Sequence, residues 1–346
     1  KHMDSKEIKK TIDNIVWWIP FRKLRDQIRE FLIFYLKNSE KLFNKLEKQR
    51  RENELTTYNK DNYYKKRVFK ENVKLVEIGI SSFCNRKCWF CPNSIIDRNS
   101  CNIELKEDLF LKLLNELREV NYSNSIFLHR YNEPLYNKEL LIKRIKQVRE
   151  YLPQSYITIF TNGDYLTLDY LKLLENIGVN AMFISYYYNG NDKNIPFDIE
   201  NIIKPGMQKL LKKLNLNYSV ETNTKDYYSV KIDYKNMDIT YRATNFENTG
   251  IDRGGVIKNV NIISRVSKCF FPNLQIVVDY DANYTLCCDI RSDIAGHRNY
   301  ILGNIETHSV FDIFMGEKAI NFRKELLIEC PKKGPCSNCS HFIDWI

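Results

Sequence analysis

The chain has 346 residues, 43% hydrophobic and 13% aromatic, which is ample for a packed core and excludes a disordered chain; the length suits about two domains. Its net charge of +10 is concentrated at one end, since residues 1–70 hold 19 Lys and Arg against 10 Asp and Glu. A uniformly basic, nucleic-acid-binding surface is therefore not expected, and no run of eighteen apolar residues is present to span a bilayer.

Residues 1–70 contain no Gly and one Pro, Pro20, and read as helix almost throughout. In "IVWWIPFRKLRDQIREFLIFYL", Leu24, Ile28, Phe31, Leu32 and Tyr35 recur at helical spacing beside Arg22, Lys23, Arg25 and Arg29. Trp17 and Trp18 stand just before a proline suited to opening a helix. Two roles fit: an amphipathic arm packed on protein, or one lying on a membrane with tryptophans among the headgroups and cations toward anionic lipid. The polar stretch that follows reads as a solvated helix and linker.

From Val73 short apolar runs take over. "VKLVEIGI", "SIFLHRY", "YITIFTNG", "VNAMFISYYY", "LNYSVET" and "MDITYRAT" read as buried strands. Between them "ELKEDLFLKLLNELREV", "KELLIKRIKQVREYL" and "LDYLKLLENIG" have helical periodicity. This alternation predicts an α/β fold with a parallel sheet, open or curled into a barrel, whose chemistry collects at the C-terminal strand ends. From about residue 255 the alternation stops. "LQIVVDYDANYTLCCDI" reads as a hairpin, followed by a short helix in "SVFDIFMGEKAINFRKELL" and a cysteine-rich tail. The expected division is an arm over 1–70, the α/β part over 71–254 and a small module over 255–346.

With no secretory signal at the start, the ten cysteines are expected to lie in a reducing cytoplasm and to hold metal rather than pair. A membrane-bound arm would make that location peripheral, at the inner membrane surface. Three of the cysteines, Cys84, Cys88 and Cys91, fall within "SSFCNRKCWFCPNS", just after the first strand. Thiolates are the usual ligands of iron–sulfur clusters. A structural zinc normally takes four protein ligands, and the next cysteine, Cys101, is ten residues beyond Cys91. Three thiolates leave one corner of a [4Fe–4S] cluster open, as a Lewis-acidic position for a substrate or cofactor. A zinc site completed from elsewhere is the competing reading. Neither a Gly-x-Gly-x-x-Gly nor a phosphate-loop motif is present, and the five His show no metal spacing.

Cys-x3-Cys-x2-Cys after the first strand, with Phe90 directly before the last cysteine, resembles the radical S-adenosylmethionine (SAM) enzymes. The resemblance implies a partial (β/α)6 barrel and a cluster whose open iron binds the amino and carboxylate groups of SAM. It also implies an external reductant such as flavodoxin or ferredoxin, and cleavage of SAM to a 5′-deoxyadenosyl radical that abstracts hydrogen. "HRYNEPL" stands where the family often has Gly-Gly-Glu-Pro; Asn132 replaces a glycine, and Glu133 is implied to meet the SAM ammonium. Thr161 and Asn162 of "FTNG" and Ser185 after the fourth strand are implied contacts for the methionine and ribose parts.

The tail resembles the auxiliary-cluster modules called SPASM and twitch. Cys269 and Cys287 flank the hairpin, Ala282 replaces the pattern's Gly, and Cys336 and Cys339 form "CSNC". "LGNIETHSVFDIF" looks like the segment before the last cysteines of such modules. With the chain ending at Ile346, the twitch form is expected: a second [4Fe–4S] cluster with four cysteine ligands. Cys288 is an alternative to Cys287. Cys101, Cys288 and Cys330 read as incidental thiols, or one of them as a hydrogen donor near substrate. Arg253, in "RGG", follows the last barrel strand and reads as a turn residue or a substrate contact.

A cluster with four protein ligands has no open iron for substrate, so its implied task is electron transfer. The resemblance therefore implies two-electron oxidation of an alcohol, as in aminocyclitol dehydrogenases with twitch domains. Epimerisation through a thiol, peptide modification and a non-catalytic iron–sulfur protein are the alternatives. Residues 1–70 show none of the strands of a leader-peptide module, and "WWIPFRKLR" looks like stretches of surface-polysaccharide proteins. Both features favour a sugar-derived small molecule.

Overall fold

The computed structural model describes residues 5–258, 260 and 263–341, and these form two compact units divided between Thr57 and Tyr58. The first unit is a pair of helices, α1 (Ser5–Val16) and α2 (Arg22–Leu55). Ile12 and Val16, four residues apart on one face of α1, are buried, and Arg29 of α2 ties the pair by donating to Asp13 at 2.6 Å. The turn carries Trp17, Trp18 and Pro20, and α2 starts two residues after the proline. α2 then runs without a break into the stretch read as solvated helix and linker. No helix among the described residues is long and apolar enough to cross a membrane.

The second unit opens with α3 (Asn62–Asn72), capped by Asp61, whose carboxylate accepts from the Tyr64 amide at 3.0 Å. Ten strands form one sheet: β1 (Leu75–Ile78), β2 (Ser125–Phe127), β3 (Tyr156–Thr161), β4 (Ala181–Ser185), β5 (Tyr218–Thr224), β6 (Tyr227–Ile232), β7 (Asp238–Thr244), β8 (Gln275–Val278), β9 (Asn283–Thr285) and β10 (Ile301–Asn304). Their order is β10-β9-β8-β1-β2-β3-β4-β7-β6-β5. The six strands from β8 to β7 are mutually parallel and the margins antiparallel, with β10 and β5 as open edges. The sheet does not close into a barrel, as the partial-barrel expectation required.

Helices α4 (Glu107–Glu119), α5 (Lys138–Tyr151), α6 (Leu168–Asn176) and α7 (Lys204–Leu214) supply the crossovers. In α4, Leu109, Phe110, Leu113, Leu114 and Leu117 are buried at i, i+1, i+4, i+5 and i+8, a single apolar stripe. α5 and α6 begin at side-chain caps, Asn137 accepting from the Leu140 amide and Thr167 from the Tyr170 amide. One-turn helices α8 (Phe246–Thr249) and α9 (Phe271–Leu274) follow, then α10 (Val310–Phe314) and α11 (Glu317–Leu326).

Three details differ from the sequence reading. "LNYSVET" is not a buried parallel strand; it is the exposed edge strand β5, antiparallel to β6, which was overlooked. Its Asn, Ser, Glu and Thr suit an edge with one neighbour. The sixth parallel strand is instead β8, all four residues of which are buried; it forms the expected hairpin with β9 and also pairs with β1, Val76 opposite Ile276. The helix expected in "SVFDIFMGEKAINFRKELL" is two, α10 and α11, with Gly316 between them.

Candidate active site

The loop after β1 carries the first three cysteines over the C-terminal ends of the parallel strands. The Cys84 amide donates to the Arg98 carbonyl, the Cys91 amide to the Cys88 carbonyl and the Trp89 amide to Gly190. Gly190 must be small here, because a Cβ on it would lie 2.9 Å from the Cys88 sulfur. Arg86 pairs with Asp164 after β3 at 2.5 Å, and Asn85 donates to the same carboxylate. On the other side, Arg98 and Arg291, both essentially inaccessible, converge on Asp293 at 2.8 and 2.5 Å. Arg291 also donates to Asn93 of the loop. Asp293→Ala is expected to leave two buried guanidinium groups without their shared anion and to cost about 3–5 kcal/mol. Denaturant unfolding of the metal-free protein would measure that loss.

Cys84, Cys88 and Cys91 line a cavity of about 270 Å³. Asn132, Glu133, Thr161, Asn162 and Ser185, from three successive stretches at the ends of β2, β3 and β4, line the same cavity. Glu133 is buried, and its carboxylate accepts from the Thr161 hydroxyl (2.5 Å), the Asn162 amide (2.8 Å) and the Leu135 amide (3.1 Å). Burial pushes its pKa up to about 7 against these three donors. Tyr131 has φ +56, a conformation that favours glycine, which accounts for the small residues the family pattern places here. Asn132 holds the turn with its side chain, accepting from the Arg130 amide at 2.6 Å. Phe90 stacks on Phe246 of α8, ring centres 3.8 Å apart.

Arg253 and Cys288 also line this cavity. Arg253 (φ +50) begins a run of left-handed residues with Gly254 and Gly255, so it is both a turn residue and part of the cavity wall. It pairs with buried Asp289 at 3.2 Å, and Asp289 contacts His341 at 2.9 Å. Despite burial, Asp289 is held down to about 2 by His341 and Arg253.

Among the cavity residues that the sequence did not single out, two carry a charge from inside a strand. Glu77 reaches the cavity from β1 and is 8% exposed, and no described residue donates a hydrogen bond to its carboxylate. Burial pushes Glu77 up to about 7, with Arg130 opposing and Asp289 and Asp279 reinforcing the rise. Arg242 reaches the cavity from β7, its guanidinium 5.1 Å from the Phe183 ring centre. The overlooked signal was a charge in the interior of each strand, Glu77 in "VKLVEIGI" and Arg242 in "MDITYRAT", apart from the charges at their starts, Lys74 and Asp238.

A second, smaller and largely apolar cavity is lined by Cys269, Cys287, Cys336 and Cys339. Cys269 is buried, and Cys287 and Cys336 pack against the cluster it forms with Leu286, Ile290 and Leu326. Burial pushes the Cys336 and Cys339 thiols up to about 12 and 11. Arg265 secures the tail loop: its amide donates to the Ser337 carbonyl and its guanidinium lies 3.7 Å from the Cys339 sulfur. Cys288 lines both cavities, whereas Cys287 lines only the second. Cys101 is exposed, and neither it nor Cys330 lines either cavity.

The donor chemistry fits iron–sulfur clusters at both places. Four thiols in an apolar pocket are costly to ionise unless iron takes the charge. At the first, Cys84 and Cys88 are pushed up to about 11 and 12 in the same way, and the adjoining wall is polar, as a bound amino acid group would need.

Comparison with known proteins agrees. The family description "Radical SAM superfamily" matches residues 78–205, and "SPASM, iron-sulfur cluster-binding domain" matches residues 269–340. The chain carries a radical SAM domain. It carries a C-terminal SPASM-type iron–sulfur domain, and its cofactors are SAM, the SAM-binding [4Fe–4S] cluster and an auxiliary cluster. The S-adenosyl-L-methionine-dependent 2-deoxy-scyllo-inosamine dehydrogenase of Niallia circulans is 25% identical over 269 residues, 77% of this radical SAM chain and 92% of that protein. The crystal structure of BtrN with AdoMet and 2-DOIA shares the fold: 23% identity, TM-score 0.53, covering 74% of this chain and 88% of that one. An open conformation of BtrN compares at 22% identity and TM-score 0.51, covering 78% and 92%.

Proposed function

We propose that this radical SAM protein is a dehydrogenase that oxidises a secondary alcohol of a small, carbohydrate-like ring to a ketone. The observation that carries the reading is the shared wall: Cys288 lines both the SAM-side cavity and the second, apolar cavity with Cys269, Cys287, Cys336 and Cys339, and Arg253 and Asp289 flank it. A substrate in the first cavity would stand one wall away from an electron acceptor in the second. The Niallia circulans relative, a 2-deoxy-scyllo-inosamine dehydrogenase, has an activity of this kind.

When bound, SAM with its cluster supplies a radical that removes one hydrogen atom from carbon, and the auxiliary cluster supplies a one-electron acceptor. Cys84, Cys88 and Cys91 would hold the first cluster, and Cys269, Cys287, Cys336 and Cys339 the second. Glu133, Asn132, Thr161, Asn162 and Ser185 would bind and orient SAM, with Phe90 packed beside the cluster loop. The alcohol loses a hydrogen atom from carbon, a proton from oxygen and one electron, which together make the ketone. In this scheme Glu77 takes the proton, since it lines the cavity and no described residue donates to its carboxylate. Arg253 would orient the reacting oxygen. An external one-electron reductant, and contact of the basic arm with a membrane, complete the partners. The chain divides functionally into that arm (1–70), the SAM-handling part (71–254) and the auxiliary-cluster part (255–346).

A second reading, epimerisation, is favoured by the Cys288 thiol in the cavity, which could return a hydrogen atom to the ring. The test is anaerobic turnover with ring polyols and aminocyclitols in heavy water. A product two mass units lighter, formed with 5′-deoxyadenosine and without deuterium at carbon, is the expected result. A product of unchanged bonding that carries one deuterium would replace oxidation by epimerisation. On the dehydrogenase reading, Cys288→Ala retains oxidation within about tenfold, measured as ketone per 5′-deoxyadenosine.

A further inference from the structure

The turn between α1 and α2 has the composition of a buried core and the exposure of a surface. Trp17, Trp18 and Phe21 are 69%, 83% and 71% exposed, and Ile15 and Leu24 on either side are exposed too. A water-facing turn normally carries Gly, Asn, Asp or Ser; this one reads "WWIPF". The packing of α1 on α2 does not use these side chains, because α1 turns Ile12 and Val16 inward and leaves Ile15 out. Three cations, Arg22, Lys23 and Arg25, follow at once, and residues 15–25 contain no acid. Farther along α2, Phe31, Phe34 and Tyr35 are also exposed.

We infer that this corner is a lipid-docking site, which seats Trp17, Trp18 and Phe21 at the headgroup level of an anionic bilayer with Arg22, Lys23 and Arg25 on the phosphates. Indole and phenyl rings beside guanidinium and ammonium groups match an interface that is apolar on one side and negative on the other. A second copy of the chain is the competing occupant, but a two-fold contact would set two identical cationic corners against each other. An anionic surface complements the charge that self-association would have to oppose. The inference rests only on this helical unit and stands whatever reaction the other unit performs.

The test is co-sedimentation of the full chain with sucrose-loaded vesicles of phosphatidylcholine, with and without 30% phosphatidylglycerol. The wild-type protein is expected to sediment with the anionic vesicles and to be released by salt. Arg22→Gln/Lys23→Gln/Arg25→Gln should weaken that binding by about a hundredfold, at roughly one decade or less per cation. Trp17→Ser/Trp18→Ser/Phe21→Ser should weaken it at least tenfold and leave iron content and SAM cleavage unchanged, which shows that the rest of the chain is folded. Equal sedimentation of wild type and both variants would overturn the inference. So would the absence of vesicle binding, in particular if equilibrium ultracentrifugation showed a dimer that the aromatic variant dissolves.

Discussion

Replacement of Cys336 and Cys339 by alanine is expected to lower iron from about eight to about four per chain after anaerobic reconstitution. It should abolish ketone formation while SAM is still cleaved to 5′-deoxyadenosine. The two losses separate because the thiols line different cavities: Cys84, Cys88 and Cys91 surround the SAM side, and the tail pair touches only the second pocket. The variant also removes two half-buried thiols from an apolar pocket, so the metal-free protein should keep its stability; the loss is of cluster, not of fold. Equal iron in variant and wild type would mean that the tail cysteines hold nothing, and oxidation would lose its electron acceptor. Normal ketone formation by a four-iron variant would dismiss the acceptor role directly.

Glu77→Gln is expected to retain both clusters and SAM cleavage but to slow dehydrogenation by about a hundredfold or more, the usual scale for removing a positioned base. The substitution preserves shape and removes only the ability to take a proton. A carboxylate with a pKa near 7 suits proton uptake at neutral pH, and burial is the main cause of that value. If Glu77 merely packs, Gln should behave as wild type. If it only binds substrate, KM should rise with kcat unchanged, and Glu77→Asp should restore little. A base role predicts a fall in kcat, partial rescue by Asp and more 5′-deoxyadenosine per ketone, because hydrogen abstraction without proton removal is unproductive.

The parts of the site that were legible in the sequence are local. Cys84, Cys88 and Cys91 share one loop, and "NEP" and "TNG" follow the second and third strands in order, so the family resemblance could be carried onto them residue by residue. Glu77 and Arg242 were present in the same strings but were read as strand residues, because period-two patterning shows that a side chain faces one side without saying which side is the cavity. Adjacent Cys287 and Cys288 were indistinguishable for a related reason. The turn after β9 sends one toward the second pocket alone and lets the other reach both, and no composition signal encodes that. The arm was legible as helix, whereas the exposure of its aromatic corner depended on how α1 packs.

The pairing of β8 with β1 was invisible for a different reason: Leu75 and Gln275 lie opposite each other on paired strands but two hundred residues apart in sequence. It has a consequence for how the protein can be divided. β8 leads into the auxiliary cysteines, yet it sits inside the parallel sheet, next to the strand that launches the first cysteine loop. A truncation at residue 255, chosen to isolate the SAM-handling part, would strip β1 of one flank and leave a buried, apolar edge with open backbone groups. Such a fragment should come out of expression as aggregate, and the auxiliary portion could not be grafted elsewhere as a cassette. The sheet also works as a ruler, because the loop with Cys84, Cys88 and Cys91 follows β1, while Cys269 and Cys287 flank the hairpin whose first strand, β8, pairs with β1 in fixed register. The gap an electron must cross is therefore set by backbone hydrogen bonds and does not change with the swing of a linker.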